Sequence, residues 1–159
     1  MIDFSAVELR PWTEADREFG YAVKKAAEGA YITDIFGWDE DREVEFQRRE
    51  WQQKKPNLIF YQGKRIGTLA AIEIDESVEI GHFFILPQFQ NRGIGTYLLR
   101  QILDRADRGN KVARLAYLKN NPAASLYRRH GFEVVRFADP FYHAERKRRT
   151  EREGTAGHG

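Results

Sequence analysis

"QNRGIGTYLLR", residues 90–100, decides how this chain is read. Two glycines, Gly93 and Gly95, stand one residue apart where an apolar stretch ends at Leu86–Pro87 and a helical pattern begins. Bare backbone at that place has a physical use. The first turn of a helix holds N–H groups without intrahelical acceptors and carries about half a positive charge. Such an N-terminus suits a phosphate, and glycine removes the Cβ that would hold the phosphate away. Two familiar phosphate motifs do not fit. A dinucleotide fingerprint needs a third glycine where Leu98 stands, and no Gly-Lys-Ser/Thr of a Walker loop is present. On these residues alone the stretch is either an ordinary strand-to-helix turn or a pyrophosphate seat with Arg92 adding a charge-assisted contact.

Downstream of the glycines, Ile94, Leu98, Leu99, Ile102, Leu103 and Ala106 recur at the spacing of a core-facing helix. Upstream, 57–62, 65–75 and 78–86 read as three strands of an antiparallel meander, with turns at Gly63 and at Glu76–Ser77. Beyond the helix, 111–118 reads as a strand and 121–131 as a short helix, with Pro122 in its first turn and Gly131 past its end. Strands at 132–138 and 141–147 follow. At the N-terminus a strand over 6–10 leads to a helix from Thr13 to Ala27, capped by Thr13 and Asp16. The segment 29–40 reads as a glycine-punctuated aromatic connection, and a second helix over 40–54 stops before Pro56. The expected fold is α/β: a mixed, mostly antiparallel central sheet of about seven strands, flanked by about four helices, with a helical crossover between the fourth and fifth strands. Residues 1–147 form one expected domain, and 148–159 an expected disordered polar tail.

Composition narrows the function classes. The chain has 159 residues, 42% of them hydrophobic and 31% charged, which is globular rather than membrane-bound or disordered. It has no cysteine, which removes a disulfide framework, a thiolate metal site and a cysteine nucleophile. No secretion signal or membrane span is visible, so the expected location is the cytoplasm, without a membrane partner. A formal net charge of +2 is too small to argue for nucleic acid. The basic run 145–152 is interrupted by acidic residues and reads as a solvated tail. No His pair has metalloprotease spacing, so no metal is expected.

With these elements in place the chain resembles the GNAT superfamily of acetyl-CoA-dependent N-acetyltransferases. "LPQFQNRGIGTYLL" (86–99) is similar to that family's Gln/Arg-x-x-Gly-x-Gly/Ala motif, filled by Gln90, Gly93 and Gly95. "KNNPAASLYRRHGFEVV" (119–135) is similar to a second family segment, matched by Asn120, Ala123, Tyr127, Gly131 and Phe132. The resemblance covers residues 6–147. It implies acetyl-CoA as acyl donor, with the backbone of Phe84, Ile85 and Leu86 holding the pantetheine arm. It further implies that Gln90, Asn91, Arg92, Gly93, Ile94, Gly95 and Thr96 surround the pyrophosphate and that Asn120 contacts the cofactor. Asn121 reads instead as the cap before Pro122.

Tyr127 is the expected general acid, a phenol able to protonate the departing thiolate. The acceptor amine must also lose a proton, since an amine of pKa near 10.4 is neutral in about one molecule in 2,500 at pH 7. Glu79, eleven residues before Gln90, is the candidate base, a placement similar to that in the histone-acetyltransferase branch. His82 and Glu73 are its rivals. Glu79 and His82 point to opposite faces of a regular strand, so both reach one site only if the strand bulges. Tyr31, Phe36, Trp38 and His143 are candidate acceptor-pocket residues. Aromatics beside Asp39, Glu40 and Asp41 suit a cationic amine, and equally suit a core tryptophan beside a helix cap. The expected activity is acetyl transfer to the primary amine of a small molecule, by a monomer or homodimer. A protein N-terminus or lysine is the alternative acceptor, and a non-catalytic acyl-CoA-binding module the alternative of another class.

Overall fold

A computed structural model describes residues 1–156. The strands are β1 (Val7–Pro11), β2 (Asn57–Tyr61), β3 (Lys64–Ile74), β4 (Ser77–Ile85), β5 (Val112–Leu118), β6 (Glu133–Ala138) and β7 (Phe141–Arg146). The helices are α1 (Arg17–Phe36), α2 (Glu40–Gln53), α3 (Ile94–Arg108), α4 (Ala124–Arg129) and α5 (Arg149–Ala156). The strands hydrogen-bond in the order β1-β2-β3-β4-β5-β7-β6. β4 and β5 are parallel, as a helical crossover requires, and the hairpin β6–β7 is antiparallel. No helix among the described residues is long and apolar enough to cross a membrane.

Contacts gather into two compact units: Met1–Ala70 with Gly81–Tyr97, and Ala71–Ile80 with the chain from Leu98 onward. In the first, Val23, Leu58, Ile59 and Ile66 are at most 2% exposed. In the second, Leu98, Leu99, Ile102, Leu103 and Ala106 are all buried, so the expected stripe on α3 is the stripe that faces the core. Each such aliphatic side chain contributes roughly 1.5–3 kcal/mol on burial.

Two expectations are corrected. The aromatic connection over 29–40 is largely helix, because α1 runs to Phe36 and only Gly37–Asp39 separate it from α2. Gly29 lies inside α1 rather than at a turn, and a Cβ there would meet the ring of Trp38 at 3.6 Å, an ordinary contact distance. The expected disordered tail is helical over Arg149–Ala156, a fifth helix; residues 157–159 lie outside the described residues. Its basic residues have a structural use. Buried Arg146 grips Asp107 through two bonds of 2.8 and 3.1 Å, Arg152 pairs with the same carboxylate, and Asn110 accepts from Thr150 N–H at 3.1 Å. These arginines hold the Asp107 carboxyl below its ordinary range.

Candidate active site

The glycine loop belongs to the first unit. Asn91 and Gly93 both take left-handed backbone, with φ of 60° and 88°. The Gly93 carbonyl accepts the first α3 bond, from Tyr97 N–H at 2.9 Å. The N–H groups of Ile94, Gly95 and Thr96 therefore precede the helical ladder and are presented at the helix start. A Cβ on Gly93 would lie 3.2 Å from the ring of Phe4, which stacks on Tyr97 at 4.9 Å. Gly95 is different. Its φ is ordinary, and a Cβ there would meet only Ile85 at 3.7 Å and Phe83 at 3.9 Å, normal contact distances. Among the described residues nothing requires glycine at 95, and its bare backbone leaves that side open to a group approaching from outside.

The strand before the loop is held by hydrogen bonds at its end. Gln90 Nε2 donates to the Ile85 carbonyl at 2.8 Å, and Leu86 N–H donates to Ile66 O at the same distance. A Cβ on Gly67 would lie 2.2 Å from the Phe84 carbonyl, so β3 and the end of β4 approach as only glycine permits. The parallel register pairs only Ser77–Glu79 with Val112–Arg114, and Phe84 and Ile85 lie beyond that ladder. Exposed Arg92 sits 5.8 Å over Phe89 and lines a cavity of about 440 Å³ with Met1, Ile2 and Tyr61.

His82 departs from regular strand geometry. Its φ is 47°, and its carbonyl accepts from Thr68 Oγ1 at 2.6 Å. The ring Nε2 is buried without a hydrogen-bond partner. Burial, with Lys24 and Lys54 nearby, pushes its pKa down to about 4, against a smaller opposing contact with the Glu50 backbone. A histidine whose folded pKa is depressed weakens the fold in acid: the unfolded chain binds the proton from pH 6.5 downward while the folded chain resists until about pH 4. The expected loss across that window is about 3 kcal/mol. His82→Asn, which keeps a residue tolerant of left-handed backbone, is expected to flatten the stability profile there, measured by urea unfolding at stepped pH. An unchanged slope contradicts the assignment.

The second unit holds the other expected residues. Glu79 stands opposite Arg114 in the register, with Oε1 3.8 Å from its guanidinium, while Arg114 donates to Glu145 at 2.8 Å. Glu73 pairs with Lys111 at 3.1 Å. Tyr127, on α4, is half-buried, its ring 5.6 Å from Tyr117 and 6.0 Å from Phe132. Asn120 follows β5 and is half-buried. Asn121 Oδ1 accepts from Ala123 N–H at 2.9 Å, the capping role expected of it. His143 lies mid-β7, in register with Ala116 of β5 and Arg136 of β6. His130 caps the end of α4, and its ring contacts the Leu126 carbonyl at 2.8 Å. No group of three or more metal-ligating side chains occurs among the described residues.

The aromatic and acidic segment is largely engaged with itself. Asp39 caps α2 by accepting from Arg42 N–H at 3.1 Å, and Glu40 binds both Tyr21 and Lys25. Lys25 also lies 5.3 Å over Trp38, so the cation on this tryptophan is the chain's own. Phe36 is half-exposed at the end of α1, and Tyr31 is half-buried on the same helix. The sequence reading missed a polar group inside this unit: Lys24 and Glu28 on α1, with Glu43 and Gln47 on α2. Spacing of four residues on each helix was the signal.

An acetyltransferase (GNAT) domain model matches residues 54–134, half of the chain. The chain belongs to the GNAT acetyltransferase family. This GNAT chain is 33% identical over 97 aligned residues to an uncharacterized N-acetyltransferase of Methanocaldococcus jannaschii, covering 53% of the chain and 43% of that relative. It therefore spans under half the length of the curated relative it matches. Its fold is that of PaiA N-acetyltransferase from Thermoplasma acidophilum, solved with coenzyme A (TM-score 0.70, 18% identity, 89% of this chain and 98% of the other). A GNAT acetyltransferase from Elizabethkingia anophelis, solved with acetyl-CoA bound, matches with TM-score 0.64 and 16% identity over 89% of this chain and 98% of its own.

Proposed function

We propose that this chain is an acetyl-CoA-dependent N-acetyltransferase that moves acetyl directly to the primary amine of a small molecule. The observation that carries the reading is Gly95, a helix-start glycine with no internal reason to be glycine, in a loop that matches the family's motif. The N–H groups of residues 93–96 and the guanidinium of Arg92 suit a pyrophosphate, and the backbone of Phe84–Leu86 suits a pantetheine arm lying along the strand. Acetyl-CoA supplies the activated thioester. Asn120 is assigned to the cofactor, Tyr127 to protonation of the leaving sulfur, and Glu79 to proton removal from the attacking nitrogen. Direct transfer accords with a chain that has no cysteine to carry an acetyl group.

Gly93→Ala tests the seat. Left-handed backbone disfavours alanine by about 1–2 kcal/mol, and the new methyl presses on Phe4. Coenzyme A affinity measured by calorimetry is expected to fall about tenfold. Equal affinity would move the pyrophosphate elsewhere. The acceptor is tested by thiol release with a panel of small amines and of peptides. Faster turnover with the small amines supports the reading. Faster turnover with peptides assigns a protein N-terminus or lysine instead, and coenzyme A binding without thiol release for any acceptor assigns a binding module.

A further inference from the structure

β6 stands last in the strand order, and among the described residues it pairs with β7 alone. Its other side presents a row of backbone N–H and C=O groups that no strand receives. Five of its six residues are exposed and the sixth is half-buried. Val134, Val135 and Phe137 are 50%, 59% and 51% exposed. Monomeric proteins guard such an edge with lysine, proline, a bulge or a covering element, and β6 holds no lysine and no proline. The other edge strand, β1, is built differently. It ends on Pro11, and its Glu8 and Arg10 neutralise each other at 3.1 Å.

The charges on β6 have no such answer. The side chains of Glu133 and Arg136 make no ion pair or hydrogen bond among the described residues. Glu133 stands opposite Glu145, whose carboxylate already accepts from Arg114 at 2.8 Å, and Arg136 stands opposite His143. Glu145 and His143 are two residues apart on β7 and share a face. Their counterparts on β6 are three apart, because the register shifts between Val134 and Arg136 and adds Val135 beside Val134. Glu133 and Arg136 therefore share one face of the sheet, where a regular strand would set them on opposite faces. Val134 and Phe137, opposite Ala144 and Tyr142, take the other face. This bulge does not blunt the edge; it makes the edge complementary to itself.

We propose that the β6 edge is a dimer interface, occupied by β6 of a second copy running antiparallel. One register satisfies the faces. With Glu133 against Arg136 of the second copy, two-fold symmetry sets Arg136 against that copy's Glu133, and Val134 and Val135 meet in the same reciprocal way. Both charges left over within one chain are then paired across the axis, and the exposed valines cover each other. A shift of one residue in either direction sets a charge against a valine. A second copy supplies this complement by symmetry, which an unrelated peptide does not. A six-residue strand pair is a small contact, so the dimer is expected to dissociate on dilution. The interface uses no residue assigned to the cofactor or to transfer, so it stands or falls apart from the acetyltransferase reading.

Sedimentation velocity of the wild-type chain, from micromolar to near-millimolar concentration, is the test. The expected result is a monomer–dimer equilibrium, with β6 amides exchanging hydrogen more slowly where the dimer forms. Arg136→Glu sets like charges opposite each other twice and is expected to weaken the dimer about tenfold, as is Glu133→Arg. Glu133→Arg combined with Arg136→Glu restores opposite charges across the axis and is expected to recover wild-type affinity within about threefold. Both positions are exposed, so each variant should keep the wild-type circular dichroism. A wild-type chain that stays monomeric throughout, a dimer indifferent to either single change, or a double variant no tighter than the singles would overturn the interface. A dimer whose β6 amides exchange at the monomer's rate places the contact on another surface and overturns it equally.

Discussion

Tyr127→Phe is expected to lower kcat by about 10²–10⁴-fold while leaving coenzyme A affinity unchanged. The expectation separates the ring from its hydroxyl. The ring packs against Tyr117 and Phe132, contacts that phenylalanine keeps. The hydroxyl is what a departing thiolate needs. Since the sulfur carries negative charge only as the carbon–sulfur bond breaks, its donor acts in the transition state rather than in binding. Single-turnover thiol release alongside a calorimetric titration makes the separation. Undiminished turnover removes Tyr127 from the chemistry; weaker binding with unchanged kcat makes it a cofactor contact.

Gly67→Ala is the second large effect, and it works through the backbone. The added Cβ would lie 2.2 Å from the Phe84 carbonyl and 3.2 Å from Ile85 Cα, both main-chain atoms that no rotamer change can move aside. The strands must separate at the segment assigned to the pantetheine arm. The expected outcome is a destabilisation of about 2–3 kcal/mol by denaturant unfolding, with a marked loss of coenzyme A affinity in the population still folded. Gly154→Ala is the control, since a Cβ there meets nothing within 4 Å and alanine favours a helix. A Gly67→Ala protein as stable as wild type, binding coenzyme A normally, would contradict the close approach.

These cases show what the linear chain discloses. The α3 stripe was legible because a helix repeats locally, and Leu98, Leu99, Ile102, Leu103 and Ala106 are all buried as their spacing required. The glycine loop was legible because a helix N-terminus is built from consecutive residues. The length of α1 was not. Gly29 argued for a break, but the helix runs on to Phe36, and the ring of Trp38 from beyond its end comes within ordinary contact of Gly29. The tail misled for the same reason: Arg146 and Arg152 read as solvated charge until Asp107, distant in sequence, receives them. On the strand, alternation set Glu79 and His82 on opposite faces but was silent on the left-handed turn of backbone at His82.

The most direct measurement follows the acetyl group itself. Acetyl-CoA labelled in the acetyl methyl is incubated with the chain and a small primary amine, and the products are resolved by mass spectrometry while free thiol is counted. The account predicts label in an amide on the amine, one thiol per amide, and no labelled protein intermediate. Label retained on the protein, or thiol released without amide, would contradict it.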